Sequence, residues 1–306
     1  MLPIALLCGE PIRFCGAGRL MSRPMGVYED ICRERGLHYL ATDEGIVVKG
    51  PLPASDFTVR GDISSQFITG LMLALPLLSG DRRIKISTAI ESKSYIDMTM
   101  EAMRAFGVTA LWEDGSTILV KEGKYTPAEV TVEGDYSGAA FPAALGIIHG
   151  GVEVLGLNEN SLQGDKVYQD YYKSLKNGFC TLDITDCPDL GPILFTLASI
   201  FHGAHFTGTA RLSLKESDRA TVMAEELRKF GADISVSDRS VTIKKTQLYK
   251  PSEPLFGHGD HRIVMSLAVL CTLFGGEIEG AEAVSKSYPG FFSDLYGLGI
   301  KLELEE

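Results

Sequence analysis

The sequence has no C-x-x-C pair: Cys8, Cys15, Cys32, Cys180, Cys187 and Cys271 are scattered along it. That spacing offers neither a zinc knuckle nor a redox dithiol, and it fits reduced thiols in a cytoplasmic protein. No cluster of His, Cys, Asp and Glu shows ligand spacing, so neither a metal nor a cofactor is expected. Residues 1–8 are apolar but few, and no basic leader accompanies them; a signal peptide or membrane span is not expected there. Positive charge is in deficit. Lys and Arg number 29 against 40 Asp and Glu, a net charge of −11, which argues against nucleic acid as a partner. Small anions remain possible ligands if the cations are gathered in one place. With 45% hydrophobic and 23% charged residues over 306 positions, the composition is that of a globular chain of about two domains that needs no disulfide or metal for its core.

What the sequence does contain is a repeat. Four times a polar cluster precedes an apolar run that ends at glycine. Gly61-Asp62-Ile63-Ser64-Ser65-Gln66 precedes residues 67–78, and Gly134-Asp135-Tyr136-Ser137-Gly138 precedes 139–148. Asp186-Cys187-Pro188-Asp189 precedes 190–201, and Gly257-His258-Gly259-Asp260-His261-Arg262 precedes 263–274. The closing glycines are Gly80, Gly150, Gly203 and Gly275. Asp and Ser cap helix starts and glycine suits helix ends, so each run is expected to be a helix. The runs are apolar almost all round, which predicts buried helices.

A short strand is expected after each helix, at 83–87, 152–155, 205–209 and 277–279. A polar loop and a more amphipathic helix follow, at 95–106, 166–175, 218–230 and 288–298. Three of these lead to a glycine and then strand-like alternation, as in 232–243. The unit therefore reads buried helix, strand, exposed helix, hairpin, an α/β pattern. Residues 2–7, 13–15, 27–35 and 38–49 follow the same order without a polar cap. Four units and a fifth joined midway are expected.

The cations fall at equivalent places in the units. Lys215-Glu216-Ser217-Asp218-Arg219 and Lys286-Ser287-Tyr288-Pro289 occupy loops leading into exposed helices; Ser92-Lys93-Ser94-Tyr95 and Ser22-Arg23-Pro24 do so in earlier units. One such loop alone reads as a capped helix start with surface charge. Recurrence predicts a shared cationic site, with arginine gripping a carboxylate or phosphate through two bonds and lysine adding a point charge. Helix N-terminal amides add to the attraction for anions.

Gly61 to Phe67, Leu214-Lys215-Glu216-Ser217-Asp218-Arg219, Asp260-His261-Arg262 and Lys286 to Pro289, in that order, resemble the motifs of EPSP synthases, the 3-phosphoshikimate 1-carboxyvinyltransferases. The resemblance extends from about residue 2 to the C-terminus. It implies a two-domain enolpyruvyl transferase fold of repeated βαβαββ-type units. Residues 133–306 would form the second domain and 1–132 a partial, N-terminally truncated first one. It also implies transfer of the enolpyruvyl group of phosphoenolpyruvate to the 5-hydroxyl of shikimate 3-phosphate in aromatic amino-acid biosynthesis. These two small molecules are the expected partners.

By the same resemblance, Ser64, Ser65, Gln66, Ser92, Tyr95, Asp189 and Lys215 would hold shikimate 3-phosphate. Arg23, Gln66, Arg219, Arg262 and Lys286 would hold phosphoenolpyruvate. Asp189 would act as base at the hydroxyl and Glu216 as the proton-shuttling group at the methylene carbon. The bland readings are helix caps for Ser64, Ser65 and Asp189, and a surface ion pair for Arg219. The family's Lys-Ser…Arg segment and Asn-(Ser/Ala)-Gly-Thr loop have no match in this sequence. A complementing N-terminal segment is therefore expected, the alternative being an inactive or split fragment that keeps the fold and weak anion binding. Arg211 stands where some members have Asn, and Gly138 where a Ser is common. UDP-N-acetylglucosamine enolpyruvyl transferases resemble the chain less, because the loop cysteine they use has no counterpart in the contexts of Cys15 or Cys32.

Overall fold

The computed structural model describes residues 1–16 and 25–305; Ser22, Arg23 and Pro24 lie outside them. The chain divides into two compact units, Met1–Val132 and Glu133–Glu306.

The first unit begins with α1 (Leu2–Ala5), β1 (Ile12–Phe14), α2 (Gly26–Glu34), β2 (His38–Thr42) and β3 (Gly45–Lys49). β1 and β2 flank β3 and pair antiparallel with it. Next come β4 (Phe57–Val59), α3 (Ser65–Ala74), β5 (Arg82–Ile86), α4 (Lys93–Ala105), β6 (Ala110–Trp112) and β7 (Thr117–Val120). Their sheet has the order β4-β5-β7-β6, parallel between β4 and β5 and antiparallel elsewhere.

The second unit opens with two helices, α5 (Tyr136–His149) and α6 (Tyr168–Asn177). β8 (Cys180–Asp183), α7 (Gly191–Ile200), β9 (Gly203–Thr207), α8 (Arg219–Lys229), β10 (Asp233–Val236) and β11 (Ser240–Lys244) follow. Their sheet order, β8-β9-β11-β10, repeats that of the first unit with the same pairing directions. Last are β12 (Leu255–Phe256), α9 (His261–Phe274), β13 (Ile278–Glu279) and α10 (Phe291–Gly297), with β12 and β13 parallel. A parallel pair requires a crossover, and α3, α7 and α9 each provide one.

Local chemistry explains these helices. Ser64 accepts a bond from Gln66 N at the start of α3, Asp135 accepts from Ser137 N and Gly138 N at α5, and Asp260 accepts from Arg262 N at α9. Each capped helix then buries its apolar surface. In α7 every residue from Gly191 to Ser199 is buried. Phe195 of α7 meets Phe206 of β9 edge to face at 4.9 Å, joining helix to sheet in the second core. Ile68, Leu71 and Met72 of α3 pack with Ile84 and Ile118 in the first. Burial of one such side chain stabilises by about 1.5–3 kcal/mol. Exposed helices bury one stripe only: in α4 that is Ile96 and Met103, seven residues apart. Among the described residues no helix is long and apolar enough to cross a membrane.

The fold is α/β as expected, with two differences in detail. Residues 152–155 form no ladder among the described residues; Val152 and Val154 pack against the second core from irregular chain instead. Alternating apolar residues suffice for that packing, whereas a strand also needs a neighbouring edge. The sequence-derived unit also omitted a leading strand, yet β4, β8 and β12 each precede a buried helix. They are two to four residues long, too short for alternation to stand out.

Candidate active site

The second unit concentrates charge where three helices begin. Pro188 opens a short 3-10 turn, Pro188–Leu190, that leads into α7 and carries Asp189. Asp218 caps α8 by accepting from Thr221 N, which makes Arg219 the first helical residue. The Arg219 side chain is turned inward and only 3% exposed. Asp260 both caps α9 and meets Arg219.

Arg219 is the hub. Its Nη1 donates to Asp189 Oδ1 at 2.6 Å, its Nε to Asp260 Oδ2 at 2.8 Å, and its Nη2 to Glu216 Oε2 and Asp260 Oδ1 at 3.2 Å each. Asp260, fully buried, also accepts from Ser217 Oγ at 3.1 Å. Asp189 gathers further cations. Lys215 Nζ lies 3.1 Å from its Oδ1 and Arg262 Nη2 3.5 Å from its Oδ2, while Arg262 Nη1 donates to the Asp189 carbonyl at 3.3 Å. Lys286 Nζ lies 3.8 Å from Glu216 Oε1 and donates to the Gly259 carbonyl at 3.3 Å. Nδ1 of His261 is buried and lies 3.1 Å from Glu216 Oε2.

This arrangement sets the proton affinities. Burial pushes the Asp189 carboxyl up, but Arg262, Lys215 and Arg219 outweigh it and hold the group well below the usual carboxylate range. The approach of His261, with Arg219 and Lys286, overcomes burial and pulls Glu216 down to about 2. Burial lowers the Lys215 ammonium, against the pull of Asp189 and with help from the charges of Arg219 and Arg211. Burial lowers Arg219 too, but Asp260 and Asp189 more than reverse it, so the guanidinium stays charged. Both carboxylates are therefore ionised at neutral pH and engaged by cations. An anion that draws those cations away raises the basicity of Asp189 and Glu216.

Glu216, Asp260 and His261 also place three potential metal ligands within 4.8 Å of one another. The Arg219 guanidinium already bonds both carboxylates there and places a fixed positive charge between them. The residues fit the arginine better than a metal.

In the first unit the predicted residues stand at two further helix starts. Ser64 caps α3, Ser65 is its buried first residue and Gln66 is exposed. Ser92 is the N-cap residue of α4, in a left-handed conformation (φ 55°) and almost fully buried; Tyr95 is 39% exposed. The two loops are tied together. Thr88 Oγ1 accepts from Gly61 N at 2.9 Å and Asp62 N at 3.2 Å, and Glu91 N donates to the Gly61 carbonyl at 3.3 Å.

Within the second unit the structure thus joins Asp189, Lys215, Glu216, Arg219, Arg262 and Lys286. Within the first it joins the loops of Ser64, Ser65 and Gln66 and of Ser92 and Tyr95. Arg23 lies outside the described residues. Sequence reasoning gave no role in the site to Ser217 or His261 and read Asp260 only as a helix cap, although Asp260-His261-Arg262 stood out as a motif. It gave none to Thr88 or Glu226, which carry no motif signal.

The EPSP synthase (3-phosphoshikimate 1-carboxyvinyltransferase) family profile matches residues 1–295. The 3-phosphoshikimate 1-carboxyvinyltransferase of Clostridium kluyveri is 38% identical over 99% of this chain and 76% of its own length. That of Brachyspira hyodysenteriae is 35% identical over 99% of this chain and 77% of its own length. Among solved structures, an EPSP synthase from Acinetobacter baumannii superposes with a TM-score of 0.75 at 22% identity, over 100% of this chain and 77% of that one. The enolpyruvyl transferase NikO from Streptomyces tendae gives 0.70 at 13% identity, over 98% and 75%. At these identities the structural matches establish the fold.

Proposed function

The chain belongs to the EPSP synthase family, and from that premise we propose that it transfers the enolpyruvyl group of phosphoenolpyruvate to the 5-hydroxyl of shikimate 3-phosphate, releasing phosphate. The observation that carries the reading is the set of four cations, Lys215, Arg219, Arg262 and Lys286, converging on Asp189 and Glu216. The reaction forms a C–O bond at C2 of phosphoenolpyruvate as C3 gains a proton. It then loses phosphate and a methyl proton to restore the double bond. It needs a base at the hydroxyl, a proton carrier at C3 and positive charge for the departing phosphate.

In this reading Asp189 takes the hydroxyl proton and Glu216 carries the proton at C3. Arg219, Arg262 and Lys286 bind the carboxylate and phosphate of phosphoenolpyruvate, with Gln66 and Arg23 as further contacts. These anions compete for the cations that hold Glu216 near 2 and Asp189 low, so substrate binding itself raises the proton affinity of both groups. Ser64, Ser65, Gln66, Ser92 and Tyr95 hold shikimate 3-phosphate with Asp189 and Lys215. Both substrates are small and water-soluble, which supports a cytoplasmic place of work.

The chain spans about three quarters of the length of its relatives, and the reading includes a complementing N-terminal segment bearing the Lys-Ser and Asn-Gly-Thr elements. Phosphate release by the purified chain, with and without that segment supplied separately, tests both parts. Turnover that appears on adding the segment is expected. Full turnover without it removes the need for the segment, and no turnover in either arm overturns the reaction.

A further inference from the structure

Arg219 and Glu226 stand seven residues apart on α8, two helical turns, and therefore on one face. Both are 2% exposed. Both grip the same stretch of chain, residues 256–260, which joins β12 to α9. Arg219 takes Asp260 at one end. At the other, Glu226 Oε2 accepts from Phe256 N at 3.0 Å and its Oε1 lies 3.1 Å from His258 Nε2. Lys229, one turn on, approaches Glu226 Oε2 to 2.9 Å, donates to the Pro254 carbonyl at 2.9 Å and sits 4.8 Å from the centre of the Phe256 ring.

The gripped loop is strained and tightly seated. His258 and Gly259 are successive left-handed residues, φ 52° and 63°. Left-handed backbone is costly for histidine, so something must hold it. A Cβ on Gly257 would lie 2.5 Å from Val264 Cγ2, which leaves the loop little room to move aside. This loop delivers the Gly259 carbonyl to Lys286, Asp260 to Arg219, and Arg262 to Asp189. A buried carboxylate such as Glu226 carries a large desolvation cost, yet it reaches none of the proposed substrate-binding groups.

We propose that Glu226 is a positioning residue for the phosphoenolpyruvate site, acting through His258 to hold the loop that sets Asp260, Arg262 and the Lys286 contact. The inference rests on the functional reading above. Glu226→Gln keeps an acceptor for Phe256 N and loses the charge facing His258 and Lys229. It should weaken phosphoenolpyruvate binding, measured calorimetrically on the full chain with the N-terminal segment supplied, by about 10-fold, the scale of one charge-assisted hydrogen bond. Shikimate 3-phosphate binding should stay within about 2-fold, because the contact of Lys215 with Asp189 does not run through this loop. His258→Asn tolerates left-handed backbone but falls short of Glu226, and a smaller loss with the same ligand selectivity is expected. The double variant should bind no worse than Glu226→Gln alone, since both changes break one link.

Equal loss of both ligands in Glu226→Gln would show a merely structural role and overturn the inference, as would unchanged phosphoenolpyruvate binding or additive losses in the double variant. Arg262→Ala separates the two levels. If it abolishes phosphoenolpyruvate binding while Glu226→Gln has no effect, only this inference fails. If, with the N-terminal segment supplied, Arg262→Ala has no effect or the unaltered chain does not bind phosphoenolpyruvate, the functional reading fails and this inference falls with it.

Discussion

Asp165 and Asp189 sense the same neighbours and respond in opposite directions. Asp165, 4% exposed, accepts from Ser137 Oγ at the start of α5. Burial and the charge of Asp189 raise its carboxyl to about 6, against the pull of Arg262, Ser137 and Lys215. A carboxyl raised in the folded state stabilises the fold in its neutral form. That contribution is complete below the ordinary value near 3.8 and is lost as the pH rises through about 6. Asp165→Asn removes this penalty, so its melting temperature relative to the parent should climb between pH 5 and pH 7. A gain of a few degrees is expected, since about 1 kcal/mol moves a domain of this size by about 2–4 °C. A flat difference across that range would show that Asp165 stays ionised. Asp189 is the reverse case. Asp189→Asn leaves three cations without their shared anion and should cost about 3 kcal/mol in urea unfolding. If it is the base, phosphate release should fall at least about 100-fold.

Between elements, the contact of α2 with α3 has a similarly sharp test. Tyr28 Oη donates to the Phe67 carbonyl at 3.1 Å, and the two rings meet edge to face at 4.9 Å. Gly70 makes room for the hydroxyl, since a Cβ there would lie 2.3 Å from it. Gly70→Ala should destabilise by about 1–3 kcal/mol. Tyr28→Phe removes the obstructing oxygen, so the double variant should lose less than the two single changes combined; additive losses would mean that Pro3, the other neighbour, resists the methyl instead. Helices α5 and α9 were legible in the sequence because their aspartate caps and terminal glycines are local chemistry, whereas α7 has no side-chain cap and Gly203 opens β9 instead of closing the helix. Ser64, Asp135 and Asp260 perform the capping their positions predict. Asp189 was harder to read, because a capping aspartate and one that gathers Lys215, Arg219 and Arg262 look alike until the helices are packed. Glu226 was hard to read: within a helix written Met-Ala-Glu-Glu-Leu-Arg-Lys its spacing from Met223 and Phe230 places it at the edge of the buried face, but a charged residue there is ordinarily taken to turn to solvent like its exposed neighbour Glu225.

For the molecule as a whole, the second unit contains a core of its own, from Phe141 and Phe195 through Leu227 to Leu270 and Phe291, and the entire Arg219 network. A polypeptide of residues 133–306 should therefore fold alone and unfold cooperatively in urea with native-like near-ultraviolet dichroism. A broad, non-cooperative transition would show that its stability depends on the first unit. The matching sheets β4-β5-β7-β6 and β8-β9-β11-β10 also have a meaning in time. Each is closed by strands drawn from one continuous stretch, 57–120 and 180–244. At ordinary rates of protein synthesis, such a stretch leaves the ribosome within about 3 to 13 s. Neither sheet has to wait for a distant strand still to be made, so the order in which the ribosome releases the chain can also be the order in which the sheets assemble.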